Sequence, residues 1–204
     1  ISPTRWQANS FPEPFRSKIS VIFDGIDTTL VTPNPDINIT FNDALSLSRS
    51  NEVITFVNRN LEPYRGFHVF MRSIPQILSE RKEAHIFIVG GDGVSYGAPS
   101  SSGNSWKSIF ISEVRPLISD DDWSRVHFLG KLPYEQYLGL LQLSTVHVYL
   151  TYPFVLSWSL IEALTMGAPV VASSTAPLQE VITHGENGLL VDFFDSNELS
   201  AAVC

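Results

Sequence analysis

From Val53 onward the chain repeats one pattern, a short and nearly continuous apolar run followed by a stretch with apolar residues at helical spacing. The runs are Val53–Val57, His85–Val89, Val126–Leu129, Val146–Leu150, Pro169–Ala172 and Gly188–Val191. Runs without polar alternation belong to strands covered on both faces, and the helices between them supply the long crossovers that parallel pairing requires. The pattern predicts an α/β, doubly wound, Rossmann-like parallel sheet of about six strands within residues 51–204. Phe67, Phe70, Met71, Ile74, Ile77 and Leu78 mark one helix, which Pro75 is expected to kink or divide. Phe110, Val114, Leu117 and Ile118 mark a second, with Pro116 inside it, and Pro133 opens a third through Tyr137, Leu138 and Leu141. Gly167 and Pro169 close a helix that carries Glu162.

Residues 1–50 have a different texture. Ile1–Lys18 reads as an irregular connector, Ile19–Phe23 as a first strand ending in an Asp24-Gly25 turn, and Thr28–Phe41 as a linker rich in Pro, Asn and Asp. The chain opens on Ile1, and Asp195-Ser196-Asn197 caps a new helix just before Cys204. The expectation is a piece of a longer protein, with residues 1–50 forming a connector and the end of a missing domain.

Thirteen basic and 21 acidic side chains leave a net charge of −8, which argues against nucleic acid or an anionic membrane as the main partner. Any positive charge that matters must be local. A single cysteine excludes a disulfide framework and a cysteine-rich zinc site. With neither a membrane span nor a signal peptide in the sequence, a cytoplasmic location is expected, with peripheral membrane attachment open to the full-length protein.

In an open parallel sheet, ligands bind beyond the carboxyl ends of the strands. Three segments converge there: Asn58–Gly66, the long loop Gly90–Trp106, and Thr151–Trp158. The first holds Arg59 and Arg65. A random pair of arginines would be read as solvated surface charge, but two guanidinium forks just after a strand suit phosphate oxygens. Gly90-Gly91-Asp92-Gly93 lacks the dinucleotide G-x-G-x-x-G spacing, so it is as much a flexible turn as a ligand cradle. That broken spacing disfavours a nicotinamide-dependent oxidoreductase. Glu162 has no basic residue after Lys131 to pair with, and an ionised carboxylate near a helix start can accept two sugar hydroxyls. Its structural alternative is a favourable charge at a helix N-terminus. The five histidines show no metal-ligand spacing, and neither G-x-S-x-G nor a Cys/His pair offers covalent catalysis.

Taken together, VIFDGID, ITFVNRNLEPYRGFHVFMRSIPQIL, HIFIVGGDG, VHFLGKLPYEQYLGLL and SLIEALTMGAPVVASSTAPLQEVITHGENGLLVDF resemble, in order and spacing, the donor-binding C-terminal domain of retaining GT-B glycosyltransferases of the family 4-like, group 1 type. The resemblance covers roughly Ile19–Cys204 and implies one half of a GT-B fold, binding a nucleoside diphosphate sugar for metal-independent retaining transfer and needing no cofactor. The acceptor, whose identity stays open, would sit on a missing N-terminal domain, so the piece alone is expected to bind nucleotide weakly and transfer little sugar. By the same resemblance Arg59 and Arg65 bind the donor diphosphate and act in catalysis, and Glu162 holds the ribose. Gly90 lies against the nucleotide, Gly130, Lys131 and Leu132 face the base, and Leu156, Ser157 and Trp158 offer backbone to the sugar or phosphate. The family places an acidic residue eight positions before its ribose glutamate, and Phe154 stands there instead. A non-catalytic nucleotide- or sugar-binding module is the alternative which that departure leaves open.

Overall fold

In a computed structural model, residues 1–41 and 44–204 are described; Asn42 and Asp43, within the predicted connector, lie outside them. The helices are α1 (Arg5–Asn9), α2 (Glu13–Arg16), α3 (Phe67–Glu80), α4 (Trp106–Val114), α5 (Asp120–Trp123), α6 (Tyr134–Leu143), α7 (Trp158–Thr165) and α8 (Ser196–Val203). The strands are β1 (Asn38–Phe41), β2 (Leu45–Ser48), β3 (Val53–Asn60), β4 (His85–Gly91), β5 (Val126–Gly130), β6 (Val146–Tyr149), β7 (Val170–Ser173) and β8 (Leu189–Val191). The last six form the expected parallel sheet in the order β5-β4-β3-β6-β7-β8. The chain winds outward from β3 in one direction and from β6 in the other, so the crevice between their carboxyl ends is a topological switch point.

Alternate residues of the central strands feed separate cores. Ile54, Phe56, Ile86, Ile88 and Val148 pack with α3, α4 and α8, whereas Val53, Phe87 and Val89 face Leu140 and Leu143 of α6 and Leu47 of β2. Helix α3 runs unbroken through Pro75. Its buried residues Met71, Ile74, Ile77 and Leu78 flank the proline, and at about 1.5–3 kcal/mol of burial each they together outweigh the roughly 3 kcal/mol a helical proline costs. Pro116 instead falls in a 3-10 turn after α4, and Leu117 is exposed rather than part of an apolar stripe.

The N-terminal part corrects the sequence reading. Residues 1–18 contain α1 and α2, and the Glu180 carboxylate accepts the amides of Arg5 and Trp6 at the start of α1 at 2.8 and 2.7 Å. Ile19–Phe23 is not a strand: it makes one bridge, Val21 to Ser2, and leaves Val21 and Ile22 exposed. A short apolar run cannot hold a ladder without a neighbouring edge. Conversely, the end of the predicted linker forms β1, an antiparallel partner of β2, because Phe41 finds Phe87 at 4.5 Å between ring centroids. No helix among the described residues is long and apolar enough to cross a membrane.

Gly66 joins the β3 loop to α3 with φ +72°, and a Cβ there would fall on that of Leu150 beyond β6. Left-handed strain and overpacking therefore add at this position. Gly66→Ala is expected to destabilise the protein by about 2–4 kcal/mol, read as a lower urea midpoint at unchanged m-value.

His147 crosses the sheet's interior. Its Nδ1 is 2.9 Å from Thr55 Oγ1, which lies 2.8 Å from Ser144 Oγ, while Nε2 is unpartnered among the described residues. Burial lowers its pKa from 6.5 to about 4, and His68 and His127 are lowered to about 4 for the same first cause. Between those two values the unfolded chain binds the extra protons. Stability present above pH 6.5 is therefore lost as pH falls towards 4. His147→Leu is expected to make that loss shallower, as measured by urea midpoints at successive pH values from 7 to 4.

Candidate functional site

The carboxyl ends of β3 and β4, with the segment after β5 and the start of α7, open on a cleft of about 800 Å³. Of the residues singled out from sequence, Arg59, Arg65, Gly90, Lys131, Leu132, Ser157 and Glu162 line it. Leu156 and Trp158 line an adjoining compartment of about 400 Å³ that also contacts Arg59, Arg65 and Ser157. Gly130 ends β5 just before Lys131 and is not among the residues that line the cleft. The two arginines thus stand where the compartments meet.

Arg65 is 9% exposed. Its guanidinium donates to Thr151 Oγ1 at 2.9 Å and Tyr149 Oη at 3.1 Å, and lies 5.5–5.9 Å from the ring centroids of Tyr149, Tyr96 and Phe154. Among the described residues no carboxylate reaches ion-pair distance of Arg65, Arg59 or Lys131. Aromatic faces return about 0.5–2 kcal/mol each to a desolvated cation, less than a full counter-charge. Such a site favours an anion. Arg59 is exposed, at the outer side of the same junction.

Glu162 lies across the cleft, in the second turn of α7 and 5% exposed. The sequence reading gave it no partner; the fold provides two. Tyr134 Oη donates to Oε1 at 2.7 Å and Tyr137 Oη to Oε2 at 2.5 Å. Burial of its hydroxyl, then the carboxylate beside it, push Tyr134 up to about 12, and the same causes raise Tyr137 further. Both phenols therefore remain donors, and each oxygen of Glu162, which lines the cleft, has capacity for a second hydrogen bond. The pair Tyr134 and Tyr137 was missed from sequence, although YEQY on the first turns of α6 puts both rings on one helix face.

Glu62 was missed as well. It is fully buried, and its carboxylate accepts the amides of Ser95, Tyr96 and Gly97 at 2.9–3.4 Å. The Gly90–Trp106 loop is thus tied to the β3 loop, with Asn60 Nδ2 donating to Ser95 Oγ at 2.7 Å. At the base of that loop a Cβ on Gly90 would lie 2.9 Å from the Asn58 carbonyl oxygen, so only glycine lets β4 leave the sheet this close to β3. Ser157 caps α7 by accepting the Ser159 amide, and the Trp158 indole donates to Asp24 Oδ2 at 2.9 Å, closing the smaller compartment against the N-terminal segment.

A family model described as glycosyl transferases group 1 matches residues 51–204, and one described as glycosyl transferase family 4 group matches residues 1–31. The D-inositol 3-phosphate glycosyltransferase of Corynebacterium jeikeium is 26% identical over 91% of this chain and 42% of its own length. The chain therefore spans about two fifths of the curated relatives it matches. Anabaena HepE in complex with UDP and glucose superposes with a TM-score of 0.73 at 21% identity, over all of this chain and 51% of that one. Sucrose-phosphate synthase of Thermosynechococcus elongatus gives 0.73 at 23% identity, over all of this chain and 47% of that one. On the match across residues 51–204, the chain belongs to the group 1 glycosyl transferases, and its six-stranded sheet is the Rossmann-like C-terminal half of a GT-B fold.

Proposed function

We propose that this chain binds the donor of a sugar transfer, a nucleoside diphosphate sugar, and that the full-length protein passes the sugar with retention of configuration to an acceptor held by a further N-terminal domain. In that reading residues 1–50 are a connector and the end of the acceptor domain, and residues 51–204 hold the donor. The observation that carries it is the placement of Arg59 and Arg65 at the one junction common to both compartments, with Glu162 across the larger. A bipartite ligand with an anionic middle fits that arrangement. The diphosphate meets the guanidinium groups, the ribose hydroxyls reach the free lone pairs of Glu162, and the base lies towards Lys131 and Leu132.

The chemistry follows from the same cations. As the anomeric carbon–oxygen bond to phosphate breaks, its electron pair passes to the diphosphate, and the acceptor oxygen takes the carbon as its proton is released. Preorganised guanidinium groups bind the leaving diphosphate more tightly than the intact donor, which lowers the barrier. This is the role a divalent metal would otherwise fill, so we infer transfer without one and without another cofactor. A cytoplasmic location, where nucleotide sugars are made, accords with the single free thiol, Cys204.

The test is nucleotide binding and turnover by the full-length protein. UDP is tried first because HepE was solved with it, and GDP and ADP follow. The best nucleotide is expected to raise the melting temperature. Arg65→Ala and Glu162→Gln are each expected to weaken that nucleotide about tenfold or more, and Arg59→Ala to lower kcat by about 10²-fold. The anomeric configuration of the product, read by NMR, checks retention. Unchanged nucleotide affinity in both Arg65→Ala and Glu162→Gln would overturn the reading, and binding without turnover would reduce it to a binding module.

A further inference from the structure

Resting on that reading, we propose that the transferred sugar is held by stacking its C–H face on Phe154 and Tyr96, so that these two rings, in place of an acid, set which sugars the smaller compartment accepts. Phe154 and Tyr96 lie in contact at 4.7 Å between centroids, their planes tilted by 55°, and Tyr64 packs edge-on to Phe154 at 5.8 Å. The two rings therefore make a continuous aromatic wall that begins at Arg65, whose Cζ lies 5.8 and 5.9 Å from their centroids. A group that leaves a phosphate at Arg65 on the side of the smaller compartment passes along that wall.

The wall is fixed rather than adaptive. Glu62 accepts the Tyr96 amide and its neighbours, and Tyr64 buttresses Phe154 from the β3 loop. Yet Tyr96 remains 44% exposed and Phe154 half-buried, so ring surface is available to a ligand. The carboxylate in this compartment, Asp24, already accepts the Trp158 indole through Oδ2. Asp24 can still accept a sugar hydroxyl, and the ring faces of Phe154 and Tyr96 supply the apolar part of the lining. A neutral hexose, whose axial C–H bonds give its ring apolar faces, is the ligand class that suits it.

The experiment uses the full-length protein and compares two affinities. The nucleoside diphosphate among UDP, GDP and ADP that binds best is titrated by calorimetry beside its hexose conjugates, without acceptor. The best conjugate is expected to bind more tightly than the bare nucleotide. Phe154→Leu and Tyr96→Leu, which keep apolar bulk but lose the ring, are expected to cut that gain by about three- to tenfold while changing nucleotide affinity by less than about threefold. Phe154→Tyr is expected to retain it. Retained nucleotide binding doubles as the folding control. A gain that survives both Leu variants, or a parent protein with no gain for any hexose conjugate, overturns the stacking proposal. Failure of the parent to bind any of the three nucleotides overturns the reading of the cleft itself.

Discussion

A guanidinium held out of water without a carboxylate is a costly thing to build, and the cleft is arranged around one. Arg65 is met by two neutral hydroxyls and three aromatic faces, none carrying a full negative charge. Burial raises the free energy of the cation, and hydrogen bonds to neutral groups offset only part of it. The remainder is available to whichever anion enters. Binding strength at this point is therefore stored in the folded protein before any ligand arrives.

Holding such a group in place falls to the parts of the fold that tolerate least change. Gly66 permits the turn from Arg65 into α3, and Leu150 fills the space a side chain would need. The buried face of α3 then fixes that turn against the sheet, and Tyr149 and Thr151, one at each side of Leu150, bring their hydroxyls to the guanidinium. Stability and site are coupled here: packing at the β3–β6 switch point positions the charge, and loosening that packing would let water solvate it or a carboxylate pair with it.

The sheet was legible because its strands centre on short, nearly continuous apolar runs, which length and flanking residues separate from the longer helical patterns between them. All six strands appear close to their expected bounds. The arginines were legible because the end of a strand in a parallel sheet is a fixed address. What failed had weaker local signals. Ile19–Phe23 has strand composition but no partner edge, and β1 has a poor pattern but finds Phe87. Pro75 has a strong local veto that the packing of Met71, Ile74, Ile77 and Leu78 overrides. Glu62 was hidden between two arginines, where charge pairing is the natural guess, although its partners are three backbone amides more than thirty positions away.

That last point explains how a cleft with acids and bases avoids cancelling itself. Two carboxylates line it with the two arginines, and in a flexible site they would form ion pairs and leave nothing for a ligand. Each acid is instead committed elsewhere: Glu62 to the amides of the long loop, Glu162 to Tyr134 and Tyr137. Their donors are neutral backbone amides and phenols, and holding them costs the carboxylates the freedom to turn towards Arg59 or Arg65. Separate fixing of like and unlike charges gives the cleft its polarity, an acceptor end at Glu162 and a cationic centre at the switch point. Beyond that centre the lining turns to Phe154 and Tyr96, where contact depends on ring surface and no longer on charge.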